Sequence, residues 1–141
     1  MEDVELKILI GLHKNVNTID KKTMRLVKEN GLTLSQFMVL EALYSKGDMT
    51  VGQVRDKILS SVGTIPLIVN NLVKLNYIKR LEDESDRRIR ILSLTDEGRE
   101  IIEKVLPKNI KLIKESMNVL NNEEKEQLLY LLKKLGGRLN G

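Results

Sequence analysis

The feature that most constrains the fold is a pair of short amphipathic segments in the middle of the chain. The first segment begins at Thr50 and Gln53, which have the spacing of a capping box, and ends near Ser60. A tight turn over residues 60–63 ends in a glycine and leads into the second segment. The apolar stripe of that second segment consists of Ile65, Ile68, Leu72 and Leu75. Two short helices joined by such a turn predict a helix-turn-helix.

Two β-prone runs, residues 77–81 and 89–94, follow the second helix directly. The connection between them, residues 82–88, is too polar for a core and too short for a helix. Asn76, just before the first run, is suited to a left-handed helix cap. A hairpin in this position predicts the wing of a winged helix-turn-helix.

Amphipathic helices are predicted on both sides of this region. Residues 5–29 repeat apolar side chains at helical spacing until Gly31. Helix-starting residues recur at Thr33 with Gln36, at Thr95 with Asp96, and at Asn121 with Glu124. The fold class is therefore mainly α with a small β-hairpin wing.

We divide the chain into an N-terminal dimerisation helix at residues 1–33, a winged helix-turn-helix at 34–94 and C-terminal dimerisation helices at 95–141. The first and the last two helices carry wide apolar stripes, which a chain of 141 residues would have difficulty covering alone. Packing of these stripes within one chain is the alternative.

Composition permits nucleic-acid binding without demanding it. The net charge is +4, and residues 34–94 hold nine Lys or Arg against seven Asp or Glu. The absence of cysteine excludes disulfides and thiol switches and suits a reducing cytosol. No apolar stretch resembles a signal peptide or a membrane span, so a cytoplasmic protein without a membrane partner is expected.

An enzyme is not expected, because no constellation of nucleophiles, paired acids or metal ligands is visible in the sequence. The single histidine, His13, has no second His or Cys as a co-ligand, so it is interpreted as a packing or surface residue. Neither a metal nor another cofactor is predicted.

Two stretches of the sequence resemble the MarR family of bacterial regulators. Residues 85–98 read S-D-R-R-I-R-I-L-S-L-T-D-E-G, similar to that family's wing and following helix start. Residues 60–80 read S-S-V-G-T-I-P-L-I-V-N-N-L-V-K-L-N-Y-I-K-R, similar to its recognition helix and next strand. The resemblance implies a homodimer with interlocked terminal helices. Pro66 departs from the family pattern and is acceptable only in the first turn of a helix.

The second helix of the helix-turn-helix supplies the candidate base contacts. With its apolar stripe inward, its outward residues are Thr64, Pro66, Leu67, Asn70, Asn71 and Lys74. Thr64, Pro66, Leu67 and Asn70 are the preferred base readers, since asparagine can pair with adenine and apolar groups can touch thymine methyls. The alternative is that Asn70 and Asn71 are only solvated amides on the protein surface. Ser60, Ser61 and Thr64 are expected to contact phosphates, or else only to cap the helix.

The wing supplies the second group of candidates, which are Asp86, Arg87 and Arg88. By resemblance, Arg88 inserts into a narrow minor groove and Asp86 braces it. Lys79 and Arg80 would add attraction to phosphate from the strand. A charged hairpin that serves only as a solvated loop is the alternative.

The resemblance also implies a small aromatic effector bound between the dimerisation helices and the winged domain. His13, Phe37 and Tyr44 are its candidate contacts, although all three are equally suited to the core. Together these features predict a homodimeric repressor that binds double-stranded DNA sequence-specifically. It would recognise a pseudo-palindromic operator and be released from it by an effector. The alternative is a winged-helix module that binds another protein.

Overall fold

The computed structural model describes residues 3–58 and 64–137 of the chain. Ser60 and Ser61, two expected phosphate contacts, lie outside the described residues, as does the whole predicted turn at residues 60–63.

The described elements follow the predicted order, with one strand added. They are α1 (Val4–Glu29), α2 (Leu34–Lys46), β1 (Met49–Thr50), α3 (Val51–Lys57), α4 (Ile65–Lys74), β2 (Ile78–Glu82), β3 (Arg90–Leu94), α5 (Asp96–Ser116) and α6 (Asn122–Leu135). The prediction of a mainly helical chain with a β-hairpin wing is confirmed.

Local side-chain caps explain where the helices begin. The predicted capping boxes at the starts of α2, α3 and α6 are all present in both directions. At α3, for example, the backbone N–H of Gln53 donates to Thr50 Oγ1 at 3.1 Å, and the backbone N–H of Thr50 donates to Gln53 Oε1 at 2.9 Å. Each box gives hydrogen-bond partners to two backbone N–H groups that the start of the helix would otherwise leave without any.

The strands form an antiparallel sheet in the order β1-β3-β2. Met49 in β1 lies opposite Leu92 in β3, and Ile78 in β2 lies opposite Leu94. The sequence did not predict β1, because two residues are too few to show an alternating pattern. This strand ties the beginning of α3 to the base of the wing.

One apolar core joins the helices to the sheet. Its completely buried members include Val27, Leu40, Leu72, Leu92 and Ile102, which come from α1, α2, α4, β3 and α5 respectively. The winged region, α1 and α5 therefore share one core within the chain.

The end of α4 differs from the predicted stripe. Leu75 was expected in the core but is 47% exposed, because α4 ends at Lys74 and the chain turns away at Asn76, whose φ is +60°. Asn76 is thus the predicted left-handed cap. Val69, which the prediction left out of the stripe, is only 1% exposed.

Candidate nucleic-acid interface

Helix α4 presents to solvent a surface that combines polar and apolar side chains. All six outward residues predicted from the sequence are exposed: Thr64, Pro66, Leu67, Asn70, Asn71 and Lys74. The opposite side of the helix is buried through Ile65, Ile68, Val69 and Leu72. We call the six exposed residues the α4 row. A protruding helix with such a row has the dimensions to enter the major groove of duplex DNA.

The start of α4 accommodates the proline that departs from the family pattern. Thr64 is the N-cap residue, and Pro66 lies within the first turn of the helix. The missing N–H of a proline there removes no intrahelical hydrogen bond. The Thr64 carbonyl accepts bonds from the amides of Leu67 and Ile68 at 3.1 and 3.2 Å. Pro66 therefore begins the helix without breaking it, as the sequence predicted.

The wing loop, residues 83–89, is ordered by its own side chains. Asp86 Oδ1 accepts a bond from the Arg88 amide at 3.0 Å, and the Ile89 amide donates to the Asp86 carbonyl at 3.0 Å. Asp83 Oδ1 accepts bonds from the amide and the hydroxyl of Ser85 at 2.9 and 2.8 Å. Two aspartates thus fold the loop into successive turns.

Arg88 and Asp86 form a bidentate pair at the tip of the wing. Arg88 Nε donates to Oδ1 and Nη2 to Oδ2, both at 3.1 Å. The Arg88 side chain is nevertheless 91% exposed, so the carboxylate holds a cation that projects into solvent. Hydrogen bonds from the Arg88 side chain and then its amide lower the pKa of the Asp86 carboxyl below its ordinary value.

Two further arginines connect the parts of this surface. Arg90 in β3 donates to the Arg87 carbonyl in the loop and lies 3.7 Å from Glu82 Oε1 in β2. Arg80 in β2 donates to Asn70 Oδ1 on α4. The sequence predicted none of these three contacts, since each forms only after the hairpin has folded.

The three expected effector contacts have different surroundings. His13 is exposed on α1, Phe37 is buried in the core, and Tyr44 is half-buried with the Arg99 guanidinium 5.6 Å from its ring centre. None of them lines either of two clefts beside α1. One cleft of about 480 Å³ lies between α1 and α5, and another of about 510 Å³ lies where α1 meets α2.

The terminal helices expose large apolar surfaces. In α6 no residue is buried, and its exposed apolar residues are Leu128, Leu129, Tyr130, Leu131, Leu132 and Leu135. The N-terminal half of α1 exposes Val4, Leu6, Ile8, Leu9, Ile10 and Val16. Monomeric soluble proteins rarely expose apolar patches of this extent, so these surfaces call for a covering partner.

Residues 3–58 and 64–137 contain no cluster of three His, Asp or Glu side chains able to hold a metal ion. Within the same ranges, no helix combines the length and apolar character required to cross a membrane.

The sequence of this chain is similar to those of known transcriptional regulators. A sequence profile described as the MarR family matches residues 30–89, which include the helix-turn-helix and most of the wing. The transcriptional regulator MhqR of Bacillus subtilis is 32% identical over 136 residues, covering 96% of this chain and 94% of MhqR. The transcriptional repressor MdtR of the same organism is 27% identical over 135 residues, covering 96% and 84% of the two chains.

A solved structure has the same fold along nearly its whole length. A mutant of MarR from E. coli, in complex with operator DNA, superposes with a TM-score of 0.71 at 25% identity and covers 95% of this chain and 99% of that one. Because the profile spans the helix-turn-helix and MhqR is similar from end to end, the chain belongs to the MarR family of transcriptional regulators.

Proposed function

We propose that this chain is a homodimeric repressor that binds a pseudo-palindromic operator in double-stranded DNA and is released by a small effector. The observation that carries the proposal is the placement of the exposed α4 row beside a wing whose Arg88 is held outward by Asp86. The solved complex of E. coli MarR with operator DNA, a protein that shares this fold, supports DNA binding by this chain. A cytoplasmic location follows from the proposed target.

In this proposal α4 enters the major groove. Thr64, Pro66, Leu67 and Asn70 read base edges from the N-terminal and central turns, because that part of a recognition helix goes deepest. Asn71 and Lys74 lie on the flank of the row, where a cation and an amide can bind phosphate oxygens. Ser60 and Ser61 keep their proposed role as phosphate contacts at the helix start.

The wing is proposed to contact the neighbouring minor groove. A narrow minor groove concentrates negative potential, so an arginine that is already oriented loses little side-chain freedom on entering it. The bidentate pair with Asp86 supplies that orientation for Arg88. Arg87, adjacent and exposed, would meet the phosphates that border the groove.

The homodimer is proposed from the apolar surfaces of α1 and α6. Residues 1–33 and 95–141 would form the dimerisation helices and residues 34–94 the DNA-binding domain. A second copy is the occupant that fits, since two-fold symmetry brings like apolar faces together and matches the symmetry of a palindrome. Sedimentation velocity should give a dimer, and a monomer at micromolar concentration would refute this part of the proposal.

Effector release is proposed by way of the junction between the terminal helices and the winged domain. Tyr44 joins α2 to Arg99 of α5 there, so a compound with an aromatic ring and an acidic group could displace either partner. His13 and Phe37 complete the proposed contacts. Small aromatic acids should raise the thermal midpoint of the protein and lower its affinity for duplex DNA, because a ligand can shift only an equilibrium whose states it binds differently.

Selection of bound duplexes from a random pool tests the proposed function. A dimeric reader should recover two inverted half-sites whose centres lie about one helical turn apart. The rival function, a winged-helix module that binds another protein, predicts a pool without any enriched duplex.

A further inference from the structure

The hydrogen bond between Arg80 and Asn70 joins the wing to the middle of the α4 row. Strand geometry explains why Arg80 reaches the helix. Side chains alternate along β2, so Arg80 shares a sheet face with Ile78, which is 1% exposed and faces the core. Lys79, the neighbouring cation, lies on the opposite face. The Arg80 guanidinium donates its bond to Asn70 on α4.

This contact fixes which end of the Asn70 amide faces Arg80. A guanidinium carries only hydrogen-bond donors, whereas a side-chain amide has one acceptor end and one donor end. The atom that meets Arg80 must therefore be the oxygen Oδ1, as observed. The donor end, Nδ2, is directed away from the guanidinium. Because Asn70 is exposed, its two N–H groups remain accessible.

We propose that Arg80 is a positioning residue that holds the Asn70 amide donor-first, so that Asn70 selects guanine over adenine in the major groove. The inference rests on the proposed function, because it assigns a base preference to one residue of the α4 row. Guanine offers two acceptors, N7 and O6, on its major-groove edge, and adenine offers one acceptor beside a donor.

The usual contact of asparagine with adenine needs its oxygen and its nitrogen together. Arg80 already occupies one of the two lone pairs of that oxygen, so the adenine contact expected from residue type alone would have to share the oxygen with a charged donor. A guanine contact uses only the nitrogen and leaves the Arg80 bond in place. Guanine is therefore favoured at the base pair below Asn70.

Arg80 as a mere source of positive charge would behave differently. A cation that attracts phosphate raises affinity for every sequence alike. Lys79 is the matched control for that role, since it carries the same charge on the adjacent residue and lies on the other face of the sheet. Both side chains are exposed, and neither supports the core.

The test uses the full chain and duplexes from the selected operator that differ at one base pair in each half-site. Asn70→Ala is measured first, to find the base pair that residue 70 reads. That base pair is the one at which the wild-type chain prefers one base and Asn70→Ala does not. The variants Arg80→Met, Lys79→Met and Asn70→Asp are then titrated against the guanine and adenine duplexes, with circular dichroism confirming their folds. Asn70→Asp keeps an acceptor for Arg80 and removes the donors.

The wild-type chain should prefer guanine on the order of tenfold or more at that pair. Arg80→Met should bring the ratio of the two affinities close to one, and Asn70→Asp should abolish the preference for guanine. Lys79→Met should weaken both duplexes equally and leave the ratio unchanged.

A guanine preference that survives Arg80→Met would overturn the inference, as would a wild-type preference for adenine or no effect of Asn70→Ala on base preference. If the wild-type chain selected no sequence at any position, the proposed function itself would fall. Loss of this inference alone is thus distinguishable from loss of DNA recognition.

Discussion

Thr95 Oγ1 donates a 2.6 Å hydrogen bond to the carbonyl oxygen of Asn76 and so joins the end of α4 to the beginning of α5. Thr95 Oγ1 also accepts a bond from the Gly98 amide at 3.0 Å, and the Thr95 amide donates to the Tyr77 carbonyl at 3.1 Å. These bonds fasten the base of the wing where α4 ends and α5 begins.

Gly98 has no room for a side chain at this junction. A Cβ built on it would lie 1.9 Å from the Tyr77 carbonyl oxygen. Gly98→Ala should lower the free energy of unfolding by about 1–3 kcal/mol or more, because backbone must move to admit the methyl group. Urea denaturation at fixed protomer concentration measures the loss.

Gly52→Ala is the matched control for that substitution. In α3 the nearest atom to a new Cβ is Thr50 Oγ1 at 3.9 Å, and alanine is the better helix former. This variant should be neutral or more stable by about 0.5–1 kcal/mol. Equal stability of the two variants would contradict the tight packing of Gly98 against the Tyr77 carbonyl.

The buried contact between α1 and α5 should be sensitive to loss of one hydroxyl. Thr23 Oγ1 donates to Asn109 Oδ1 at 2.7 Å, and both residues are buried. Thr23→Val leaves the Asn109 oxygen without that bond, which should cost about 1–3 kcal/mol in the free energy of unfolding. Thr18→Val removes an exposed hydroxyl from the same helix and should change it by less than about 0.5 kcal/mol.

The pairing in the wing should be visible in the titration of Asp86. Its pKa is lowered by Arg88, so the charged form persists to lower pH than in an unfolded chain. The contribution of this pair to folding is therefore complete above the ordinary pKa of aspartate and is lost as pH falls through the depressed value. Carboxyl NMR shifts should show the Asp86 pKa rising towards its ordinary value in Arg88→Ala.

Arg87→Ala is the control for the titration, because among the described residues the arginine bonded to the Asp86 carboxylate is Arg88. It should leave the Asp86 pKa low. Identical Asp86 titrations in the wild-type chain and in Arg88→Ala would mean that the bidentate pair is absent in solution.

Local signals allowed most of the fold to be predicted from the sequence. Each capping box, at Thr33, Thr50 and Asn121, is set by residues three positions apart, so the sequence alone contains the information. The position of Leu75 was wrong because the 100° helical rule was extended past the last helical residue. Strand β1 was missed because its identity depends on pairing with Leu92, more than forty residues away.

The candidate site was predictable to the level of exposed positions but not of contacts. Helical spacing correctly placed the α4 row in solvent, and the wing motif located Asp86 and Arg88. The bond from Arg80 to Asn70 depends on the turn after α4 and on the facing of β2, which no short motif encodes. The apolar stripes of α1 and α6, in contrast, were predicted from helical spacing as surfaces that one chain could hardly cover, and both are exposed.

The wing can be tested by removing one cation. Arg88→Ala should weaken binding to the selected operator by about 1–3 kcal/mol and leave the fold and the oligomeric state unchanged. Lys108→Ala, which removes an exposed cation from α5, should leave operator affinity within about 0.5 kcal/mol of the wild type. Unchanged affinity in Arg88→Ala would remove the wing from the interface.

Duplex affinity measured by fluorescence anisotropy across a series of salt concentrations tests the central claim most directly. A protein that neutralises several phosphates releases bound counterions, so the logarithm of its affinity should fall steeply and linearly with the logarithm of salt concentration. We expect the selected operator to remain favoured over a scrambled duplex throughout the series. Affinity that is insensitive to salt, or equal for the two duplexes, would contradict sequence-specific DNA binding by this chain.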